Sequence, residues 1–484
     1  MSTGLYLGLD VGTSASKAVL VDVDGGVVAR GRATHSAASR TGRADAEGWW
    51  ASAVEAIGQL GGARSETVAI GLSVHSPVLI PLDEDGEPLD DGYRFDAPGL
   101  AGVVSAAATA IPTEVHSRIG NAYSPATAIA GAYRLMQRTD VARASRVRWL
   151  GSVGSLLGQR LTGEVAIDPS QASYFGCFDV IGGAQWIPAA AEALGVADDL
   201  LPPVRPAGEP LGPLLLAAAA ALGLPSGIPV TVAGGDTPSA AVAVGLDARS
   251  DTLLSLGTTH VLTRWRDRPD TRNRRLLQRP HLSGGAWLVH GATNGGLALA
   301  EGAAQCTGSD SATGAAVAGT IGSAASLSIE EIPAAPFFLP HVIAERGPLW
   351  LSEPAAGFFG DTAGRASDPR LAAWAVVEGV LLADRLVLEH MTGDQGAPLT
   401  VAADLSSGGE FAQLAADALN RELRVVEEPH LSALGAARLT AEVGGVTMPP
   451  VSASVAFVPR PERAALVDSR WQEWRQVRSA HLGL

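Results

Sequence analysis

The sequence predicts an α/β protein of two domains facing each other across a cleft, and three observations predict it. The chain has 484 residues, beyond the roughly 250 to 300 at which one hydrophobic core stops growing. The stretch GLDVGTSASK, Gly8 to Lys17, reads as an apolar strand, a Gly-Thr-hydroxyl turn and the start of a return strand. About half the chain later, DTLLSLGTTHVLTRW repeats that unit, with Gly257, Thr258 and Thr259 at the turn. Such repetition implies two related halves, each presenting one hairpin to a shared cleft, and carries more weight than either hairpin alone.

Composition narrows the partners. Hydrophobic residues make up 46% and charged residues 18%, enough apolar material for two cores and too little charge for a disordered chain. The formal charge of −15, without a Lys/Arg-rich block, argues against nucleic acid or an anionic membrane as partner. The longest apolar run, Leu214 to Leu224, lies between Pro213 and Pro225 and falls short of the roughly 20 residues of a membrane span. It reads as a buried helix. The first residues lack a basic n-region followed by an apolar h-region, so the expected compartment is the cytoplasm. Cys177 and Cys306 cannot build a disulfide framework and lack zinc-site spacing; they read as small buried residues.

Taken in order, Leu5 to Leu9 reads as a buried strand and Lys17 to Val23 as its antiparallel neighbour. Asp24-Gly25-Gly26 then turns the chain into VVARGRA, a third strand. At the first turn Gly12 permits the sharp bend, while Thr13, Ser14 and Ser16 offer hydroxyls and backbone N–H groups in a concave loop suited to anions. Asp10, at the strand end, has the chemistry to hold hydrated Mg²⁺, which favours one or two carboxylates plus water and phosphate oxygens. Lys17 is the only lysine, against 34 arginines, and supplies a compact cation within reach of a phosphate. The same residues also suit an ordinary hairpin with a surface lysine. Trp49 and Trp50 open a helix at positions typical of core. In VTVAGGDTPSAAVAVGL, a strand runs into Gly234-Gly235 and Asp236 opens a helix of small residues. Asp236 is either an N-cap or, at the junction of two halves that carry phosphate hairpins, the base for a hydroxyl in phosphoryl transfer. Further on, DPRLAAWAVVEGVLLADRLVLEHM sets Trp374, Leu381 and Leu388 seven apart, the spacing of a long core helix. The tail PERAALVDSRWQEWRQVRSAHLGL reads as a terminal helix packing on the body or on a partner subunit.

GLDVGTSASK, AGGDTPSAAVAVG and LLSLGTTHVL together resemble the FGGY family of carbohydrate kinases, with weaker matches between them, among them WLGSVGSLLGQRLTGEVAIDPSQAS, HGATNGG and PHLSALGAARLTAEVGG. The resemblance implies the actin-like, ribonuclease-H-like two-domain sugar kinase fold with a cleft between the domains. It implies an N-terminal domain over 1–246 with the first hairpin, sugar site and catalytic Asp, a C-terminal domain over 247–445 with the second hairpin and the adenosine site, and a helical tail over 446–484. Carried over by position, Asp236 is the general base, Asp10 organises the metal, and Gly12, Thr13, Ser14 and Lys17 meet phosphates from one side, with Gly257, Thr258 and Thr259 from the other. The activity implied is ATP- and Mg²⁺-dependent transfer of the γ-phosphate to a hydroxyl of a ketose or polyol, xylulose or a related pentulose being the family's commonest assignment. The partner is a small sugar or polyol, and a homodimer is an open assembly. The alternative is a non-catalytic or regulatory relative that binds sugar or nucleotide.

Departures from the family pattern cluster at two places. Ala403, Asp404 and Leu405 stand where the family carries glycines near the nucleotide, although Ser406-Ser407-Gly408-Gly409 could restore a tight turn. On the sugar side, GLSVHSPV replaces the Gln-Met-His-Gly segment of xylulose kinases, and YRFDAPG keeps Asp96 but not the arginine that follows it in the family. Ser73, His75 and Asp96 remain the candidates for sugar hydroxyls. His75 reads equally as a strand histidine satisfied by its neighbours, Asp96 as a turn residue before Pro98, and Glu345 with Arg346 as a structural ion pair at the cleft rim.

Overall fold

The computed structural model describes residues 4–35, 42–182, 185–247, 252–271, 274–309, 313–345, 347–351, 353–359, 368–391, 396–403, 405 and 409–483. In the N-terminal half, β1 (Leu5–Val11), β2 (Ala15–Val21), β3 (Val27–Thr34), β4 (Thr67–Val74), β5 (Pro210–Pro213), β6 (Pro229–Thr231) and β7 (Gly234–Gly235) form one seven-stranded sheet. Its order is β3-β2-β1-β4-β6-β5, with β7 also pairing with β4. β1 is antiparallel to β2 and parallel to β4, so Asp10 stands opposite both Lys17 and Ser73. β1 is buried at every position, as expected of a central strand covered on both faces. Helix α1 (Ala46–Gly58) is capped by Asp45, whose carboxylate accepts from the Glu47 amide, and buries Trp49, Ala53, Ala56 and Ile57.

Strand β7 runs straight into α2 (Asp236–Val244). The C-terminal half then lays down β8 (Thr252–Leu256), β9 (His260–Arg266), β10 (Leu277–Pro280), β11 (Trp287–Thr293), β12 (Leu399–Ala402), β13 (Leu423–Val426) and β14 (Val455–Phe457). These make the second seven-stranded sheet, in the order β10-β11-β9-β8-β12-β13-β14. Its helices include α3 (Gly295–Thr307), α4 (Pro369–His390), α5 (Leu431–Val443) and α6 (Pro461–Leu482). The predicted stripe of Trp374, Leu381 and Leu388 is buried, but burial extends nearly round α4, from Ala372 to Leu388. A helix packed on most sides needs no polar face.

The tail helix α6 lies on the C-terminal half. Trp471 and Trp474 stack with ring centroids 5.4 Å apart, Trp474 donates to the Phe338 carbonyl at 3.0 Å, and Arg470 forms a buried pair with Glu378 at 2.7 Å. The two halves meet where α5 crosses α2 and the first sheet. A Cβ at position 435 would stand 1.7 Å from the Ser239 carbonyl oxygen, and one at Gly8 would stand 1.9 Å from that of Ala433. Backbones this close leave room for hydrogen alone, so Gly435→Ala has to part α5 from α2.

The apolar run Leu214 to Leu224 is not a buried helix. Its helical part, Leu216–Leu222, buries only Ala218, Ala219 and Leu222, and Leu216 is 76% exposed. Four of its seven residues beyond the buried set face outward because alanine favours helix without requiring burial, so an apolar composition overstated the need for a core position. No helix among the described residues is long and apolar enough to cross a membrane.

Candidate active site

Three parallel strand ends build the floor. β1, β4 and β7 run side by side, with Asp10 opposite Ser73 and Gly234 opposite Ser73 on its other flank. Open α/β sheets bind ligands outside the carboxyl ends of such strands. Asp10 is 4% exposed and accepts from the Ser73 hydroxyl at 2.8 Å. Burial pushes its carboxyl up to about 6, helped by the nearby Asp236 carboxylate and opposed by Lys17, the Ser73 hydroxyl and His430. Asp236 is partly exposed, and its Oδ1 accepts from the Thr237 amide at 2.6 Å. It is the first helical residue of α2, and Gly235 is the N-cap. The sequence reading of Asp236 as an N-cap is therefore off by one residue, because the extended Gly235 ends the strand. An acid in the first turn still profits from the helix dipole.

His75 is buried, and its Nδ1 lies 2.9 Å from the Val11 carbonyl oxygen. Burial holds its pKa below the usual histidine value, while the Val11 hydrogen bond and Asp236 pull the other way. The Trp49 ring meets it edge-on at 5.2 Å.

Each half carries one exposed Gly-Thr hairpin, and the first adjoins this floor. At the first, Thr13 and Ser14 are exposed, Gly12 donates to the Ala15 carbonyl at 3.0 Å, and His35 Nε2 lies 2.9 Å from the Gly12 carbonyl oxygen. At the second, Gly257, Thr258 and Thr259 are all exposed. The carbonyls of Gly257 and Thr258 accept from the Gly296 and Leu297 amides at 3.1 and 2.9 Å, which seats that hairpin on the N-terminus of α3. Beneath it, His260 Nδ1 lies 2.6 Å from Asp384 Oδ2, and Thr293 donates to Asp384 Oδ1 at 2.7 Å.

The model of the FGGY family of carbohydrate kinases matches with its N-terminal domain over residues 5–243 and its C-terminal domain over 253–442. The chain belongs to the FGGY family of carbohydrate kinases. Members of this family are phosphotransferases with an alcohol group as acceptor. The xylulose kinase of Escherichia coli K12 is 27% identical over 452 residues, covering 90% of this chain and 89% of that one. The fold is that of the xylulose kinase structure from Rhodospirillum rubrum, with a TM-score of 0.84 at 22% identity and 99% of each chain covered. It is equally that of the gluconate kinase structure from Lactobacillus acidophilus, with a TM-score of 0.86 at 20% identity, covering 99% of this chain and 98% of that one. This is the two-domain, actin-like sugar kinase fold.

Within this FGGY kinase, Asp10, Lys17, Ser73, His75 and Asp236 gather on one floor. Asp96 lies on an exposed turn, paired with Arg94 at 3.3 Å. Arg94 is near enough to His75 to depress its pKa further. Ser16 does not offer its hydroxyl to the loop: it is fully buried and bonded to Ser52 at 2.8 Å, because strand alternation turns it inward. Asp404 and residues 406–408 lie outside the described residues, as does Arg346. Glu345 instead lies 2.9 Å from His341 Nδ1 and accepts from Asn294 Nδ2 at 2.9 Å.

Residues unassigned in the sequence also reach the floor. The turn Pro169–Ala172 is capped by the buried Asp168, and its Ser170 hydroxyl accepts from the Gly235 amide at 3.1 Å. The signal was the Asp-Pro-Ser triplet, which has the form of a capped turn with proline at its first position. Arg279, His290 and Tyr174 meet beside Gly235 with no local pattern to announce them.

Proposed function

We propose that this FGGY kinase transfers the γ-phosphate of ATP, with Mg²⁺, to a hydroxyl of a polyhydroxylated acceptor, a ketose, a polyol or a sugar acid, with Asp236 as general base. The observation that carries this reading is the pairing of a partly exposed Asp236 with a buried Asp10 at the first Gly-Thr hairpin, in a chain whose second half repeats that exposed hairpin. Phosphoryl transfer asks a protein mainly for positioning and charge stabilisation. Asp236 accepts the proton of the attacking hydroxyl, oriented by the Thr237 amide. The amides of Thr13, Ser14, Thr258 and Thr259 take phosphate oxygens from two sides, and Lys17 adds one mobile positive charge. Ser73 and His75 bound the acceptor side.

The residues fit Mg²⁺. Two carboxylates, one raised by burial and by the other, suit a cation that keeps most of its water, and no cluster of three His, Cys, Asp or Glu side chains exists among the described residues to favour a fully caged metal. Asp10 would hold the ion, which when bound neutralises charge on the phosphates. Relatives named for xylulose and for gluconate share the fold, so the acceptor is decided by this chain's own pocket.

The test is Mg²⁺-dependent ADP release against a panel of ketoses, polyols and sugar acids with an acceptor-free control. Stimulation by an acceptor supports the reading. ADP release indifferent to every acceptor contradicts it.

A further inference from the structure

Helix α3 begins without the cap its sequence offers. Asn294 is the residue before its first turn, yet its side chain bonds no amide of the helix, and its backbone is helical, with φ −68° and ψ −11°, rather than extended. An asparagine at this place ordinarily accepts from the second or third helical amide. Here those amides, of Gly296 and Leu297, go to the Gly257 and Thr258 carbonyls at 3.1 and 2.9 Å, the Leu297 amide being shared with the carbonyl of Asn294 itself. The second hairpin thus caps α3 in place of the Asn294 side chain. A Cβ at position 296 would stand 2.5 Å from the Gly257 oxygen, so the two backbones meet directly.

What diverts Asn294 is Glu345. Its Oε1 accepts from the Asn294 amide at 3.2 Å and from Asn294 Nδ2 at 2.9 Å. Nδ2 also donates to the Ile343 carbonyl at 3.3 Å, and since both neighbours only accept, the orientation of the side-chain amide is fixed. One carboxylate oxygen therefore holds the main chain and the side chain of Asn294 together. Glu345 is held in turn: its amide donates to the Leu351 carbonyl at 2.9 Å, and its Oε2 lies 2.9 Å from Nδ1 of the fully buried His341. Asn294 is 2% exposed and Glu345 7%, so water is a poor substitute for either partner.

We propose that Glu345 is a positioning residue for the second hairpin: by occupying both nitrogens of Asn294 it reserves the Gly296 and Leu297 amides for the Gly257 and Thr258 carbonyls. The inference rests on the kinase reading, which gives that hairpin the phosphates of ATP. Without Glu345, Asn294 turns its side-chain oxygen to those amides, as asparagine does at other helix starts, and the hairpin loses its seat. Asp236 and the acceptor take no part in that exchange, so the defect falls on ATP.

The experiment measures ADP release with ATP and acceptor varied separately, in the full chain and in Glu345→Ala, Glu345→Gln, Asn294→Ala, Asn294→Asp and the double variant Glu345→Ala/Asn294→Ala. Glu345→Ala should raise the KM for ATP about tenfold, the scale of one competing N-cap, with kcat and the acceptor KM within about twofold. Asn294→Ala removes the competitor, so the double variant should recover most of the ATP affinity although it restores no contact. A purely structural loss predicts the opposite, since deleting a second buried side chain adds damage. Glu345→Gln keeps an acceptor oxygen for Asn294 and should stay near the unaltered chain. Asn294→Asp sets a second carboxylate against Glu345 and keeps the power to cap, so it should raise the KM for ATP with Glu345 in place, which keeps the test open if Glu345→Ala does not fold. An unchanged KM for ATP in Glu345→Ala, or a double variant as impaired as the single one, overturns the role and leaves the kinase intact. If no acceptor stimulates ADP release in the unaltered chain, the kinase reading fails, and hydrogen exchange decides the remainder. Faster exchange over residues 256–261 in Glu345→Ala, slowed again in the double variant, sustains the positioning role, and equal exchange in all three proteins removes it.

Discussion

The two Gly-Thr hairpins share a plan and differ in what stands behind them. At the first, the strand residue two before the glycine is Asp10, a buried acid held near 6 and facing Asp236 and Lys17. The equivalent residue before Gly257 is the neutral Ser255. Instead of charge, the second hairpin has support: its carbonyls rest on α3 and its strand is anchored by the buried His260, Asp384 and Thr293. One half supplies the titratable chemistry and the other a rigid neutral cradle. A repeated unit can thus divide labour, provided a cleft brings the two copies to one ligand.

That contrast can be broken by mutation, most severely at Asp236, the proposed base. Asp236→Ala should lower kcat by about 10³-fold while the melting temperature and ATP binding by calorimetry stay near those of the unaltered chain. Asp384→Ala should act through the cradle. It strips His260 and Thr293 of their buried partner and should cost about 3 kcal/mol of stability in denaturant unfolding, with the loss of ATP affinity exceeding any loss for the acceptor. Lys17→Ala should raise the KM for ATP about tenfold, less than loss of the base costs, because backbone donors share the phosphate charge. A larger effect of Lys17 than of Asp236 would reverse the assignment of roles.

The smallest effect concerns the seam between the halves. Glu428, just before α5, bonds Arg30 on β3. Burial pushes its carboxyl up, but hydrogen bonds from His430 and Arg30 outweigh this and hold it at about 2 against an ordinary 4.5. A depressed folded pKa contributes stability above the unfolded value and loses it as pH falls through the folded one. Glu428→Gln should therefore cost about 1 kcal/mol at neutral pH, allowing for the partly exposed Arg30, and the gap should close as pH falls from about 4.5 toward 2. A gap that is constant with pH would show that the pair is not the source.

Much of the fold was legible because its signals are local. A glycine after an apolar strand, followed by hydroxyl residues, announces a hairpin wherever it occurs, and both hairpins lie where the sequence put them. The seven-residue spacing of Trp374, Leu381 and Leu388 likewise announces α4. The cluster beside Gly235 was harder to read because its residues come from distant segments. Tyr174, Arg279 and His290 belong to a turn and two strands, and no spacing in the sequence brings them beside Gly235. Ser16 and the run Leu214 to Leu224 failed for a related reason: residue type suggested exposure or burial, and the direction of a strand or helix face decided it.

The most direct test of the central claim is acceptor-stimulated, Mg²⁺-dependent ADP release measured side by side in the unaltered chain and in Asp236→Ala. The account predicts stimulation by a polyhydroxylated acceptor in the first and its loss in the second, with ATP still bound by both. Equal turnover by the two proteins would contradict it.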